Sequence, residues 1–321
     1  MSMFSISDLK TFKKCRQLAD FSISARMGLR PQVPAIYYTV GEIAHEALEM
    51  YYNGNETAWT EYERKALEAL QGYVANPRYE EIRDETLSFT YILQAYMKRW
   101  AKHNDRFKML NTEVRDLIEL DNGHYFTFKY DGLVQKKDGS VWIKEFKTTA
   151  SLPTDLAWLQ IDDQAAAYQW AVEKVSGIPV VGTIYTWLRK KSPTKPKELA
   201  SGGVSVAKNI VTTAEAFYDG LIALGYSPNS YTDMLKFIAG KEGGDYFLRT
   251  EVIANSKQRR YMGDHILRLT DELTNPDTYM YASSSQQNCS KCAFFGPCTA
   301  KQLGLNYKAL LESDYERSDY Y

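Results

Sequence analysis

Tyr125-Phe-Thr-Phe-Lys-Tyr-Asp131-Gly-Leu-Val, the turn Lys137-Asp-Gly139, and Val141-Trp-Ile-Lys-Glu145-Phe-Lys147 decide how the rest of the chain reads. Both flanking runs are rich in β-branched and aromatic residues and end at turn formers, so each predicts a strand. Side chains alternate along a strand, which puts Glu145 and Lys147 on one face and Phe146 on the other. The spacing is Asp-x13-Glu-x-Lys. A hairpin register that sets Asp131 beside Glu145 therefore collects two carboxylates and an ammonium at one spot.

Upstream of this pair, Val114, Leu117, Ile118 and Leu120 run into Asp121-Asn-Gly123, a hairpin signal, so the expected unit is a three-stranded meander. Residues 155–175 read as a helix and Val180 to Leu188 as another strand. Helical patterns return at 213–224, 229–239 and 256–273, with a strand at 245–253. The N-terminal region reads as helical: Ser5 or Ser7 is the expected cap of a first helix, and residues from about 40 to 104 carry apolar groups at helical spacing. Asn76-Pro77 interrupts that stretch. The resulting fold class is α/β, a mixed curved sheet of about four or five strands flanked by helices. It divides into a helical region over residues 1–105, a core over 106–190 and a second helical region over 191–321, all within one compact unit. The basic loop Arg189–Lys197 is expected to stay solvated, and the acidic, tyrosine-rich tail from Glu312 to fray.

The 321 residues carry a net charge of −1, which excludes a histone-like coat for nucleic acid but leaves room for a local basic groove. No apolar run approaches the ~18 residues of a membrane span, and the N-terminus lacks the apolar stretch of a secretory signal. A soluble cytoplasmic protein is the expectation, with thiols kept reduced.

Two adjacent carboxylates repel unless a cation lies between them, and hard oxygen donors suit Mg²⁺ or Mn²⁺. Such an ion activates water and offsets charge on a phosphodiester, with Lys147 beside it to position the water. The same residues also fit a solvated hairpin with a surface ion pair. Three other features bear on the choice. His45 lies in Gly41-Glu-Ile-Ala-His45, where the glycine allows close approach and neutral imidazole is a metal ligand. Gln164-Ala-Ala-Ala-Tyr168 puts two polar groups on one helix face. Glu113 opens the hairpin and can join the acidic group.

In their order, Gly41-x3-His45, Tyr130-Asp131-Gly, Glu145-Phe-Lys147-Thr and Gln164-x3-Tyr168 resemble the motifs of RecB-like nucleases of the PD-(D/E)XK type. That group includes the nuclease domains of AddA and AddB, the CRISPR-associated exonucleases and phage-encoded relatives. The resemblance implies that His45, Asp131, Glu145 and the Phe146 carbonyl bind the metal. It further implies that Lys147 is catalytic, and that Gln164 and Tyr168 contact DNA near the scissile phosphate.

The four cysteines are Cys15, Cys289, Cys292 and Cys298, the last three as Cys-x2-Cys-x5-Cys with a Gly-Pro turn. That spacing suits a Cys₄ metal centre, zinc or iron–sulfur. One distant N-terminal cysteine with three near the C-terminus resembles the iron staple of AddB and the CRISPR-associated exonucleases. The resemblance implies a structural [4Fe–4S] cluster, with Zn²⁺ as the alternative. The family pattern has proline after the first cysteine, where this chain has Arg16.

Candidate phosphate contacts are Arg189, Lys190, Lys191, Lys195 and Lys197, with Lys257, Arg259 and Arg260. No P-loop is present. The expectation is a metal-dependent DNA exonuclease acting on single strands or duplex ends. Its setting would be phage or bacterial recombination, replication or repair, alongside proteins of those processes. The alternatives are an inactive DNA-binding or assembly subunit and a structure-specific or RNA-processing endonuclease.

Overall fold

The computed structural model describes residues 1–33, 35–103 and 107–318. Strand β1 (Met3–Ser5) leads into α1 (Ile6–Lys14). Of the two candidate caps the structure uses Ser5. Its hydroxyl accepts the Asp8 N–H, and the Asp8 carboxylate accepts the Ser5 N–H, a reciprocal capping box. Next come α2 (Arg16–Ser22), β2 (Leu29–Pro31), α3 (Ile36–Tyr52), α4 (Trp59–Leu70) and α5 (Tyr79–His103). The Asn76-Pro77 break falls between α4 and α5, where Asn76 Oδ1 accepts the Arg78 N–H at 2.9 Å in an Asx turn.

The expected meander is β3 (Phe107–Glu119), β4 (Tyr125–Lys136) and β5 (Val141–Thr149), all antiparallel. Its two turns put Gly123 at φ +77° and Gly139 at φ +85°, the left-handed region that glycine enters without steric cost. After a 3₁₀ turn at Ala157–Ile161, α6 (Asp163–Ser176) carries the chain to β6 (Val180–Arg189), parallel to β5. There follow α7 (Ala214–Ala223), α8 (Thr232–Tyr246), β7 (Phe247–Val252) and α9 (Ser256–Thr274). The described chain ends with α10 (Gln286–Cys289), α11 (Phe295–Gln302), α12 (Tyr307–Asp314) and β8 (Tyr315–Arg317).

The main sheet is mixed and has six strands in the order β1-β4-β5-β6-β7, with β3 also paired to β4. The strand beyond the expected four or five is β1. Three residues are too few to show a period, and it owes its place to Phe4, which is wholly buried. Burying such a side chain contributes about 1.5–3 kcal/mol. Helices α1, α6 and α9 pack on the sheet through Leu9, Ala167 and Ile266. A second core joins α3, α4 and α5 to Phe146, Leu188 and Phe247. The first core takes Leu9, Ile143 and Ile266 from the three expected regions of the chain in turn. The expected boundary between residues 105 and 106 lies outside the described residues.

Two expectations are corrected. The 189–197 loop is docked, because Pro193 and Pro196 are buried and the Thr194 N–H bonds to the Val211 carbonyl at 2.9 Å. The segment from Glu312 does not fray over its described residues. It completes α12 and then pairs as β8, antiparallel to β2, with Pro31 opposite Tyr315. Residues 319–321 lie outside the described ones.

Candidate active site

Strands β4 and β5 pair from Gln135↔Val141 to Gly132↔Lys144, and the next step of that register sets Asp131 beside Glu145. There a side chain replaces the backbone ladder: the Phe146 N–H donates to Asp131 Oδ2 at 2.6 Å. The other Asp131 oxygen lies 2.7 Å from His45 Nδ1, which α3 presents one turn beyond Gly41. A side chain at Gly41 would come within 3.3 Å of Thr148 Oγ1, so the glycine lets α3 close onto the end of β5.

Glu145 Oε1 accepts from Lys147 Nζ at 2.8 Å and from Gln164 Nε2 at 2.8 Å. Lys147 Nζ also donates to Gln164 Oε1 at 2.9 Å, which closes a three-membered ring of hydrogen bonds. Gln164 is held by its place on α6. Asp162 caps that helix by accepting the Gln164 N–H at 3.1 Å. Asp162 is fixed in turn by Lys10 Nζ at 2.7 Å and the Tyr185 hydroxyl at 3.4 Å. Tyr168 follows one turn after Gln164, is nearly buried, and interacts with the Gln164 side chain.

Electrostatically the group is two anions held by two cations. Burial raises the Glu145 carboxyl above the usual carboxylate range, against the pull of Lys147. At Asp131 burial works in the same direction, but His45 and the Phe146 N–H outweigh it and hold that carboxyl low. Burial disfavours charge on His45 and on Lys147. Asp131 overcomes it for the imidazole and Glu145 for the ammonium, so both are raised. Burial, then the charge of Glu145, pushes the Tyr168 hydroxyl far above its ordinary range.

One atom is left over. Glu145 Oε2 is buried with no hydrogen-bond partner. Such an acceptor costs about 1–3 kcal/mol, more when charged, unless something binds it. It fits a hard divalent cation in charge and in donor chemistry. Among the described residues no group of three or more His, Cys, Asp and Glu side chains is arranged to hold a metal ion. His45 and Lys147 instead neutralise the carboxylates directly.

Glu113 does not join this group. It stands across the β3–β4 ladder from Asp131, at a positive φ of 44° that is unusual for a non-glycine residue, and its carboxylate turns to Lys129. Asp162, Lys10 and Tyr185 escaped the reading of the sequence. The signal for Asp162 was an acidic residue just ahead of the helix that carries Gln164.

The four cysteines line one pocket. Cys15 lies at the α1–α2 junction, Cys289 ends α10, Cys292 follows it and Cys298 is in α11. All four thiols are free. The Ser283 N–H donates to Cys15 Sγ at 3.4 Å and Gln302 Nε2 to Cys298 Sγ at 3.8 Å. Burial raises the Cys292 and Cys298 thiols, and the neighbouring cysteines raise them further. Phe21 stacks on Phe294 at 5.5 Å, and Tyr315 of β8 stacks on Phe294 at 4.7 Å, so the pocket joins the two ends of the chain. The four thiols thus share one pocket and two of them accept N–H donors, but among the described residues no three of them are arranged to hold a metal ion. Arg16, where the family has proline, lies over the rings of Phe12 and Tyr281 at 5.0 and 5.5 Å and pairs with Glu272.

The basic candidates separate by environment. Lys191, Lys195, Lys197, Lys257 and Arg260 are exposed. Arg189 donates to the Asp245 carbonyl at 3.4 Å, Lys190 to the Tyr37 carbonyl at 3.1 Å, and Arg259 pairs with Glu173 at 2.8 Å. Arg259 is thus tied down as a structural group. No helix among the described residues is long and apolar enough to cross a membrane.

Among curated proteins none matches the chain. Two solved structures are similar over most of their length. SSO0001 is 12% identical, with 94% of this chain and 87% of that one covered and a TM-score of 0.35. A candidate exonuclease from Eubacterium rectale is 13% identical, with 81% and 88% covered and a TM-score of 0.37. The family model for the PD-(D/E)XK nuclease superfamily matches residues 3–299, nearly the whole length, and the chain belongs to that superfamily.

Proposed function

We propose that this nuclease is a Mg²⁺- or Mn²⁺-dependent deoxyribonuclease that removes nucleotides from DNA ends. The single observation that carries the metal is Glu145 Oε2, a buried carboxylate oxygen without a partner beside Asp131 and Lys147. His45, Asp131, Glu145 and the Phe146 carbonyl would hold the ion. When bound, it lowers the pKa of a water and offsets charge on the phosphodiester. Lys147 orients the attacking water and stabilises charge that develops on the phosphate. Gln164 fixes the Lys147 ammonium, and Tyr168 offers a neutral hydroxyl to the substrate. His45 holds Asp131 in place until the ion arrives.

The preference for ends, and a place in phage or bacterial recombination, replication or repair, follow from the likeness of the motifs to RecB-like nucleases. The same likeness, together with the shared thiol pocket, supports a [4Fe–4S] cluster on Cys15, Cys289, Cys292 and Cys298. The test is anaerobic purification, a visible spectrum with iron and zinc analysis, and incubation with end-labelled linear and closed circular DNA plus Mg²⁺ or Mn²⁺. Expected are a brown, iron-containing protein, cleavage of linear DNA alone, and its loss in Lys147→Ala. Cleavage of circles overturns the preference for ends. Zinc in a colourless protein overturns the cluster. DNA binding without cleavage under either metal identifies a non-catalytic subunit.

A further inference from the structure

We propose that the pocket beside Lys147 receives an unstacked nucleobase of a single-stranded DNA end, with the Trp158 indole as its stacking surface. This rests on the nuclease reading of the same site. Lys10, Lys147, Thr149, Trp158, Gln164 and Tyr185 line a cavity of about 320 Å³. That lies within the ~300–1,000 Å³ of small-ligand sites. Lys147 and Gln164 belong both to this wall and to the catalytic ring, so a group in the pocket lies next to the reacting phosphate.

The character of the walls selects the occupant. Trp158 is 50% exposed, although Leu159 beside it is buried against Tyr185, Trp187 and Val252. The 3₁₀ turn is therefore anchored from below while its half-exposed Trp158 lines the pocket. Tyr185 and Trp187, with ring centroids 5.3 Å apart, add a buried aromatic floor. Lys10 and Lys147 set two ammonium groups at the pocket, each already sharing its charge with a carboxylate, Asp162 at 2.7 Å and Glu145 at 2.8 Å. Asp162, the acidic group of the lining, already accepts from Lys10, Gln164 and Tyr185, which offsets its repulsion of a phosphate. Aromatic surface beside ammonium groups is the chemistry that binds single strands, because every base has a π-face. A base reaches Trp158 only after leaving a duplex stack, so the pocket favours unpaired ends.

The experiment uses the full chain. In chelator, where no cleavage occurs, titration with oligothymidylate is expected to quench tryptophan fluorescence, and Trp158→Phe to diminish that quenching, Trp187 of the same pocket keeping part of it, while the oligonucleotide still binds. Trp158→Ala is expected to weaken binding, and to raise KM on single-stranded ends, about 10- to 100-fold with kcat little changed. An abasic site walked along the last nucleotides should weaken wild-type binding at one position by a similar factor. At that position it should have no further effect on Trp158→Ala. Unchanged affinity and KM in Trp158→Ala, or full additivity with every abasic position, overturns the stacking role. If the wild type cleaves nothing, the nuclease reading fails, while the quenching and the abasic comparison still decide the fate of the pocket. If Trp158→Ala does not fold, Trp158→Phe judges it alone, and undiminished quenching in that variant refutes the proposal.

Discussion

Replacing Glu145 by Gln separates two roles for the carboxylate that look alike in a static structure. As half of a structural ion pair with Lys147, its loss should cost about 3–5 kcal/mol, the usual penalty for breaking a buried pair. The geometry argues for a different sign. The Lys147 side chain is 34% exposed and can turn to water, so the pair contributes only ~1 kcal/mol after screening. Against this stands an ionised oxygen, Glu145 Oε2, buried without a partner at a cost of about 1–3 kcal/mol. Burial raises the folded-state pKa of Glu145, so its favourable contribution exists at low pH and is lost as pH rises through that pKa. Above that pKa the charge is a burden on the metal-free fold. Glu145→Gln keeps the acceptor for Lys147 and Gln164 and should leave that fold unchanged or up to ~1–2 kcal/mol more stable, a gain of a few degrees in Tm. It should also abolish cleavage and erase the rise in Tm that Mg²⁺ or Mn²⁺ gives the wild type. Calorimetry with and without metal, beside a cleavage assay, reads all three. A loss above ~2 kcal/mol in the metal-free variant would show that Glu145 is held in the fold as a structural residue, against the sign derived from its orphaned oxygen.

Glu242 offers a second case of the same physics away from the site. It is 6% exposed, accepts the Ala214 N–H at 2.8 Å, and burial lifts its carboxyl to about 7. Its stabilising contribution is complete at low pH and is lost between the ordinary glutamate range and pH 7. The wild type should therefore lose of order 2 kcal/mol relative to Glu242→Gln from pH 4.5 to 8; an unfolding free-energy difference between the two proteins that is the same at both ends of that range, read from denaturant titrations, contradicts it. For the cysteine pocket, Cys292→Ser should release the metal proposed there. It should lower stability by several kcal/mol, by analogy with the ~4.7 kcal/mol of a disulfide closing a 100-residue loop. Limited proteolysis should then cut first near β2 and α12, whereas unchanged metal content and Tm would show that the thiols hold no metal.

The grouping of Asp131, Glu145 and Lys147 was legible because these residues lie on two adjoining strands joined by a short turn. Alternation fixed the shared face of Glu145 and Lys147, and the Gly132↔Lys144 register brought Asp131 alongside. The Gln164 contact was only half legible: helical spacing placed it with Tyr168, but only the Asp162 cap aims that helix at Lys147. Features set by tertiary contact alone left no local pattern. Strand β1 is three residues whose partner is Tyr125–Thr127, far along the chain. The docked 189–197 loop looked solvated because lysines surround its prolines, while the burial comes from packing such as Pro196 against Gly220. Trp158 was invisible for a similar reason: one exposed aromatic in a turn acquires meaning only from what lines the pocket beside it.

The pairing of β2 with β8 also bears on how the enzyme is made. At roughly 5–20 residues per second, Lys147 is synthesised about 10–30 s before β8. His45, Asp131, Glu145 and Lys147 are thus all present on a nascent chain whose first helices still lack their C-terminal partners. Strands that must pair across such separations fold slowly, and their edges stay open to other chains meanwhile. A chain cut short before β8 would carry His45, Asp131, Glu145 and Lys147 and lack the pairing that β2 needs.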